Sequence, residues 1–292
     1  MPIRDLLLAF LVVMAWGVNF VVMKYAVTEI PPFLLTGLRF ALAAIPAVFL
    51  VARPAVPWRL LIGYGTGFGI VQFAFMFTAF RMGSPAGLTA VLLQTQAFFT
   101  IALAYLVLGE RASRWQLIGI GIAAAGVAVI IGGATQGAAL LPALLVLIGA
   151  LGWGVANVVL KVARPTDVLA FTVWTSLVPP LPMFALSLAT EGPDAWAASW
   201  AHLTSVGIAA VLWFAYPISL LSGIAWASLM SRYAAATFAP FALLVPVVAM
   251  ACGAAIYGER LTGAGLAGSA LVLAGLGVLI AAGRWASMVR PR

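Results

Sequence analysis

A nine-residue stretch occurs twice in this sequence, and this repeat constrains the fold more than any other feature. The first copy, WGVNFVVMK, covers residues 16–24, and the second, WGVANVVLK, covers residues 153–161, which is 137 positions later (153 − 16). A second motif, Gly-Glu-Arg, occurs at 109–111 and again at 258–260, at a spacing of 149 (258 − 109). Self-similarity at a regular spacing indicates an internal repeat. We therefore expect two units of common origin.

The composition places these units in a membrane. Hydrophobic residues make up 65% of the chain and charged residues only 8%, whereas about 25% charged residues is usual for a soluble domain. A membrane-spanning helix needs about 20 mostly apolar residues. Charges, prolines and glycine clusters divide the chain into ten such segments, with one sizeable loop at 190–202. We predict an all-α membrane protein with ten transmembrane helices at 6–25, 33–52, 61–81, 86–108, 115–132, 140–161, 167–189, 203–229, 235–257 and 261–282.

The positions of Lys and Arg indicate the orientation of these helices. With the N-terminus in the cytoplasm, the cytoplasmic connections hold eleven of the fifteen basic residues and the outer connections hold three, while Arg39 falls inside a helix. Such a bias is typical of cytoplasmic loops, so both termini are predicted to be cytoplasmic. Each unit, 1–135 or 136–292, has five crossings, an odd number, so the two units are predicted to point in opposite directions. Inverted five-helix repeats of this kind are typical of transporters.

Several classes of function are disfavoured by the residues themselves. The net charge of +8 follows from membrane orientation, so the expected partners are a small-molecule substrate and the lipid bilayer, not a nucleic acid. One cysteine and one histidine leave no cysteine metal cluster or disulfide, and no phosphate-binding loop occurs. No cofactor or metal is expected. All seven acidic residues fall at predicted helix ends or in loops, so a proton relay inside the membrane is not predicted.

Polar side chains inside the predicted helices are candidate substrate-binding residues, because such groups are costly in hydrocarbon. Asn19 and Asn157 lie at near-equivalent depths of the two repeated helices. Either they face a midplane cavity and bind substrate, or they form interhelical hydrogen bonds that only fix packing. Gln72, Gln94 and Gln96 lie in the third and fourth helices. Since Gln94 and Gln96 project about 200° apart, we expect only one of them to face a shared cavity.

Arg39 and two tryptophans complete the set of candidates. Arg39 lies within the second helix, where it either meets a substrate carboxylate or a backbone carbonyl, or extends to the outer surface. Trp16 and Trp153 begin the two copies of the repeated stretch, and they either line the cavity or pack between helices. A cavity lined by tryptophan would suit a hydrophobic or aromatic substrate side chain.

Small residues predict where helices approach closely. The stretch GYGTGFG lacks the spacing of a nucleotide-binding loop and lies in an apolar helix, so it is interpreted as a helix-packing surface. Pairs of small residues four apart in the fifth and tenth helices predict a tight scaffold or a dimer surface, and a monomer and a homodimer both stay open. The predicted packing surface covers residues 63–69, and the pairs of small residues are Gly119/Ala123, Gly121/Ala125 and Ala270/Ala274.

These motifs together resemble a known family. Gly-Glu-Arg and the Trp-Gly opening resemble the drug/metabolite transporter superfamily in its ten-helix, EamA-type branch, and the similarity covers nearly the whole chain. The stretches 37–40 and 94–99 are similar to those of the bacterial EamA and YddG exporters. The resemblance implies an exporter in the bacterial inner membrane that works by alternating access. Its implied substrates are amino acids and related metabolites, such as aromatic or sulfur amino acids and O-acetylserine.

Two alternatives remain at this point. A carrier of nucleotide sugars or drug-like molecules from the same superfamily is one, but phosphate groups call for several basic residues and only Arg39 lies inside a helix. A membrane enzyme is the other, and it needs a nucleophile or an acid–base pair near the membrane boundary. The absence of clustered carboxylates disfavours an enzyme.

Overall fold

The computed structural model describes residues 2–110, 112–134, 140–222, 225–226, 228–229, 241 and 243–289, and every regular element in these ranges is helical. The all-α part of the prediction is therefore confirmed for the described residues. In chain order the helices are α1 (Ile3–Glu29), α2 (Pro32–Val48), α3 (Trp58–Arg81), α4 (Ala86–Leu108), α5 (Arg114–Ala134), α6 (Leu140–Ala163), α7 (Val168–Thr190), α8 (Pro193–His202), α9 (Ser205–Leu221), α10 (Leu244–Tyr257) and α11 (Gly263–Val289).

Most of these helices are suited to a bilayer. By length and composition, seven of the described helices are long and apolar enough to cross a membrane, and the number is eight if the pair α8–α9 is one span. That pair is bent by 109°, so α8 runs across the axis of α9. Two shorter apolar helices, Pro32–Ile45 and Leu244–Tyr257, add to this set. The first part of the ninth predicted segment, residues 235–240, lies outside the described residues.

The prediction of a loop at 190–202 is wrong. Residues 193–202 form α8, which begins directly after Gly192, a glycine with φ of +85°. Proline at the first helical position suits a helix start because its missing N–H is not needed there. Trp196 fixes the helix to the bundle, since its Nε1 donates to Ser187 Oγ at 2.8 Å and its ring lies 5.7 Å from that of Phe184.

The glycine of each Gly-Glu-Arg motif ends a helix. Gly109 follows α4 with φ of +67°, and Gly258 follows α10 with φ of +64°. This left-handed conformation favours glycine, and it lets the following N–H turn back onto the helix. Glu110 N accordingly donates to Ala104 O at 3.3 Å, and Glu259 N donates to Gly253 O at 3.2 Å. The two motifs thus have the same backbone geometry.

Two helices contain wide-turn π segments, Gly65–Gln72 in α3 and Phe214–Leu221 in α9. The segments are 149 positions apart (214 − 65), which is also the spacing of the Gly-Glu-Arg motifs. Pro217 lies inside the second segment, where its missing N–H disfavours regular α-helical bonding. The π-helix is rare, and π turns inside α-helices occur frequently at functional sites.

Glycines set the closest helix contacts. A Cβ added at Gly67 of α3 would lie 2.6 Å from Gly152 O of α6. A Cβ added at Gly149 of α6 would lie 3.0 Å from Gln72 O of α3. The interpretation of residues 63–69 as a packing surface is therefore confirmed. Between α5 and α11, a Cβ at Gly119 would lie 2.8 Å from Gly275 O.

The predicted tight scaffold is confirmed for one of the three pairs in the fifth and tenth helices, and the alternative of a dimer surface stays a prediction for the exposed pairs. Gly119 and Ala123 lie at the contact with α11, where they face Gly275. The other pairs do not, because they project from different faces of their helices: Gly121, Ala125, Ala270 and Ala274 are exposed. Gly126 and Gly268 take their place, and a Cβ on Gly126 would lie 2.6 Å from Gly268 O.

Contacts between helix ends define two ends of the bundle. One end holds the carboxyl groups of Glu29, Glu191 and Glu259, which contact the starts of α9, α2 and α4 respectively. We call it the glutamate face. At the opposite face, Lys161 at the end of α6 pairs with Glu110 after α4, and Trp174 Nε1 donates to Val51 O at 3.1 Å.

Candidate functional site

The first group of candidate residues surrounds the π segment of α9. Trp16 of α1 donates through Nε1 to Ser222 Oγ at 2.8 Å, and its ring lies 5.0 Å from that of Trp226. Arg39 of α2 approaches the same segment, with Nη2 3.4 Å from Ser219 Oγ. Residues of the first predicted unit thereby contact a π segment of the second. Ser219 lies in this segment and Ser222 directly follows it, so Arg39 and Trp16 contact neighbouring positions of the chain.

Arg39 is a buried cation among aromatic rings. Its side chain is 3% exposed, so it does not extend to the outer surface. The guanidinium carbon lies 3.9 Å from the ring centre of Phe73 and 5.7 Å from that of Phe214. Cation–π attraction stabilises such a charge by about 2 kcal/mol or more when it is desolvated. Nε and Nη1 of Arg39 have no hydrogen-bond partner among the described residues.

Besides Nε1 of Trp213 and Oγ of Ser269, two further buried polar atoms lack partners in the described part of the chain. They are Oδ1 of Asn19, one turn after Trp16 on α1, and Oε1 of Gln72, the last residue of the π segment in α3. Buried polar atoms are nearly always hydrogen-bonded, so each unpaired one calls for an explanation. Free acceptors at Asn19 and Gln72 and free donors at Arg39 are the groups that a zwitterionic ligand would require.

The second group of candidates is already paired. Asn157 Nδ2 donates to Gln96 Oε1 at 2.6 Å and lies 3.0 Å from Thr100 Oγ1. This bond joins α6 to α4, and it is the packing arrangement that the sequence left open for Asn157. Gln94 is half-buried at the break between the two parts of α4, Ala86–Leu93 and Gln96–Leu108.

Aromatic rings connect the two groups. Trp153 lies 6.0 Å from Phe68, and Phe68 lies 5.4 Å from Phe73, the ring beneath Arg39. The sequence did not predict Phe68, Phe73, Ser219 or Ser222 as site residues. A sequence signal existed for Phe73, which follows Gln72 directly, but the serines are recognisable only once α9 is placed beside α1 and α2. A cavity of about 30 Å³ lies beside Phe40 and Phe68, a volume that fits one water molecule.

The charged residues of the repeated motifs form ion pairs that cross between the units. Lys24 Nζ lies 2.5 Å from Glu259 Oε1, and the two side chains are 19% and 9% exposed. Lys161 pairs with Glu110, and these side chains are 48% and 46% exposed. In each pair the lysine of one repeated stretch meets the glutamate of the other unit's Gly-Glu-Arg motif. Neither pair includes a residue of the candidate site.

All seven acidic residues lie at or just beyond helix ends, as predicted, except that Asp194 lies in the first turn of α8 and not in a loop. Asp5 is in the first turn of α1, Glu29 is its last residue, Asp167 caps α7, and Glu191 ends that helix. Glu110, Asp194 and Glu259 follow α4, begin α8 and follow α10. The carboxylates are thus kept out of the middle of the spans, where Arg39 lies.

The fold and the site together define a class of protein, a membrane transporter built of apolar helices from two similar units. The chain belongs to the EamA-like transporter family, whose model matches residues 4–132 and 140–281. The resemblance seen in the motifs is confirmed, and the protein is a transporter and not an enzyme.

Named relatives extend this result. The chain is 44% identical over 279 residues to a probable amino-acid metabolite efflux pump of Salmonella typhimurium strain LT2, covering 94% of this chain and 93% of that protein. It is 40% identical over 294 residues to a protein of the same description from Escherichia coli strain K12, covering 98% of both. The uncharacterized inner membrane transporter YedA of Escherichia coli K12 is 26% identical, over 90% of this chain and 85% of YedA.

One solved crystal structure shares the fold. It matches with a TM-score of 0.51 at 20% sequence identity and covers 94% of this chain and 95% of its own. At that identity, the similarity concerns the fold alone.

Proposed function

We propose that this protein exports amino acids and related metabolites across the bacterial inner membrane. Two relatives at 44% and 40% identity, matched over nearly their whole lengths, carry the description of probable amino-acid metabolite efflux pump. Among the substrates implied by the sequence motifs, aromatic and sulfur amino acids and O-acetylserine fit a site that combines a cation with aromatic rings.

The proposed mechanism is alternating access between two inverted five-helix units, 1–135 and 136–292, with both termini in the cytoplasm. Seven long apolar helices would supply ten crossings together with the bent pair α8–α9 and the two shorter apolar helices, if each of these three also crosses the membrane once. The family match falls into two segments of similar length. The π segments recur at a spacing of 149 and the repeated stretches at 137. Most of the extra residues lie in α7, which has 23 residues against 17 in α2, and in the connection between α7 and α9, which contains α8.

The proposed substrate site contains Trp16, Asn19, Arg39, Gln72, Gln94, Gln96, Trp153 and Asn157. The observation that carries this assignment is the buried guanidinium of Arg39, which has no carboxylate partner among the described residues. An isolated buried charge is costly unless it is compensated. A substrate carboxylate would compensate it, and the free acceptors of Asn19 and Gln72 would then receive the substrate ammonium group.

Efflux of labelled amino acids from proteoliposomes tests this function, with and without a pH gradient. Arg39→Gln is expected to lower efflux at least about tenfold, the effect of losing about 1.4 kcal/mol of binding. Arg59→Gln, at an exposed position at the start of α3, is the matched control and should leave efflux unchanged. An amino-acid amide, which lacks the carboxylate, should not compete with the substrate. No efflux of any amino acid by the wild-type protein would contradict the proposal and favour another metabolite class.

A further inference from the structure

Three glutamates at the glutamate face each hold the start of a helix in the other unit. Glu259 accepts from Ala86 N at 2.9 and 3.0 Å, at the first residue of α4. Glu191 accepts from Phe33 N at 2.9 Å and from Leu34 N at 3.2 Å, in the first turn of α2. A carboxylate is stabilised at a helix start because the free N–H groups and the helix dipole both favour negative charge.

Glu29 belongs to the first unit and holds the start of a helix in the second unit, whereas Glu191 and Glu259 belong to the second unit. Its carboxylate accepts from Thr204 Oγ1 at 2.7 Å and from Thr204 N at 3.1 Å, directly before α9. Tyr25 also donates its hydroxyl to Glu29. All three carboxylates therefore bridge the two units at the same end of the bundle.

The opposite face has no equivalent set among the described residues. Asp167 accepts from Ala170 N of its own helix at 2.9 Å, so it does not connect the units. Glu110 meets Lys161, but that pair is about half exposed. Trp174 Nε1 also donates to Val51 O across the units at that face, but no carboxylate is involved. Among the described residues, the carboxylates that bridge the units and hold helix starts are therefore concentrated at the glutamate face.

Two glycines provide the space that these carboxylates occupy. A Cβ on Gly253 would overlap Oε2 of Glu259, and a Cβ on Gly207 would overlap Oε2 of Glu29. The residue that corresponds to Gly253 in the first unit, 149 positions earlier, is Ala104. Ala104 carries the methyl group that Gly253 lacks, and Glu110 beside it remains exposed. A single methyl group thus accompanies the difference between a docked and an exposed glutamate.

We propose that Glu29, Glu191 and Glu259, with Lys24, form a gate that closes the glutamate face. This proposal rests on the proposed alternating access, in which the units must separate at each face in turn. The contacts suit a gate because water can replace side-chain bonds to helix starts while every helix keeps its own hydrogen bonds. The side chains beneath them are tightly buried: Val27, Ile30, Leu34 and Ala90 are each 1% exposed.

Thiol accessibility tests the gate without any substrate. Cys252 is replaced by serine, and a single cysteine is placed at Ala90, one turn below the helix start that Glu259 holds. An impermeant maleimide is then added to intact cells and, separately, to inverted vesicles, so that both faces are sampled. Glu259→Gln weakens the ion pair, whereas Gly253→Ala keeps every charge and blocks the docking position. Expression and thermal melting in detergent identify variants that fail to fold.

The expected result is a rise in the labelling rate of about tenfold or more in Glu259→Gln and in Gly253→Ala, equivalent to about 1.4 kcal/mol in the gate equilibrium. Glu110→Gln, the matched change at the opposite face, should leave the rate at position 90 unchanged. If Glu259→Gln fails to insert, Gly253→Ala and Gly207→Ala carry the test.

Unchanged labelling in folded Gly253→Ala and Gly207→Ala would overturn the gate. The outcome is separable from the proposed function. Increased labelling by a protein that moves no amino acid would support the gate and contradict the substrate assignment. Amino-acid efflux with unchanged labelling would do the reverse.

Discussion

The two copies of the repeated stretch end in the same residue but lie in different surroundings. Lys24 forms a largely buried pair with Glu259, while Lys161 forms a half-exposed pair with Glu110. The glutamates follow glycines of the same left-handed conformation. What differs is the space behind the carboxylate, open at Gly253 and filled by a methyl group at Ala104. The repeated motifs therefore bring the same residue types together in both pairs, and the deeper burial of Glu259 accompanies a glycine where the other unit has alanine.

The asparagines of the two copies differ in the same way. Asn157 is bonded to Gln96 and lies near Thr100, whereas Oδ1 of Asn19 is buried without a partner in the described residues. The first copy thus contains a lysine in a largely buried ion pair and an asparagine whose oxygen has no hydrogen bond among the described residues. The second copy contains a lysine in a half-exposed ion pair and an asparagine that is hydrogen-bonded. We expect substitutions in the first copy to have larger effects.

Exchanging the lysine and the glutamate within each ion pair should give the largest difference in stability between the two pairs. Lys161→Glu with Glu110→Lys restores an exposed pair, whose contribution is about 0.2–1 kcal/mol, so stability should be nearly unchanged. Lys24→Glu with Glu259→Lys places an ammonium group against the helix start at Ala86, where a cation is unfavourable. This second exchange should be the most destabilising variant of the set. Unfolding in detergent measures both, and equal tolerance of the two exchanges would contradict the structural difference.

Removing one glutamate should give the next largest effect. Glu259→Ala leaves Lys24 without its partner and Ala86 N without an acceptor. Loss of one member of a buried pair costs about 3–5 kcal/mol, and the lower end applies because Lys24 is partly exposed. Glu110→Ala should cost about 1 kcal/mol or less. Chemical denaturation of the purified protein compares them, and similar losses would show that burial does not distinguish the pairs.

Asn19→Ala should lower transport about tenfold, equivalent to about 1.4 kcal/mol, without loss of folding or membrane insertion. The reason is that its Oδ1 has no bond to lose within the described protein, so its contribution should appear when substrate binds. Efflux and expression are measured on the same preparation. Normal efflux by well-expressed Asn19→Ala would remove this residue from the site.

Asn157→Ala should have the smallest effect on folding. It removes the bonds from Nδ2 to Gln96 and Thr100, both between α6 and α4, and interhelical bonds average about 0.6 kcal/mol each in a membrane protein. A thermal-melting comparison with Gln96→Ala checks this value, because both changes remove the bond between Asn157 and Gln96. The double variant should be little less stable than either single variant, and additive losses would contradict the pairing.

The sequence predicted the features that depend on local pattern. Apolar length predicted the long helices, and the repeated motifs predicted the family. Helix α8 was missed because residues 193–202 are too short and too polar for a membrane span, and they are held through Trp196. The docking of Glu259 was not predictable either, since the importance of Gly253 appears only when α10 and α4 are placed side by side.

The site residues show the same limit. Asn19 and Arg39 were recognised because polar groups are rare in apolar helices. The sequence left three possible surroundings for Arg39: a substrate carboxylate, a backbone carbonyl or the outer surface. In the structure its guanidinium lies over the ring of Phe73. Ser219 and Ser222 contact Arg39 and Trp16 from about 180 or more positions away. Contacts of that separation follow from the packing of the two units and not from local pattern.

The most direct test of the central claim is counterflow of labelled amino acids in proteoliposomes containing the wild-type protein. Vesicles loaded with an unlabelled aromatic or sulfur amino acid should accumulate the labelled form transiently, and the amino-acid amide should not drive this exchange. Absence of counterflow for every amino acid tested, with a folded and correctly inserted protein, would contradict the account of an amino-acid exporter.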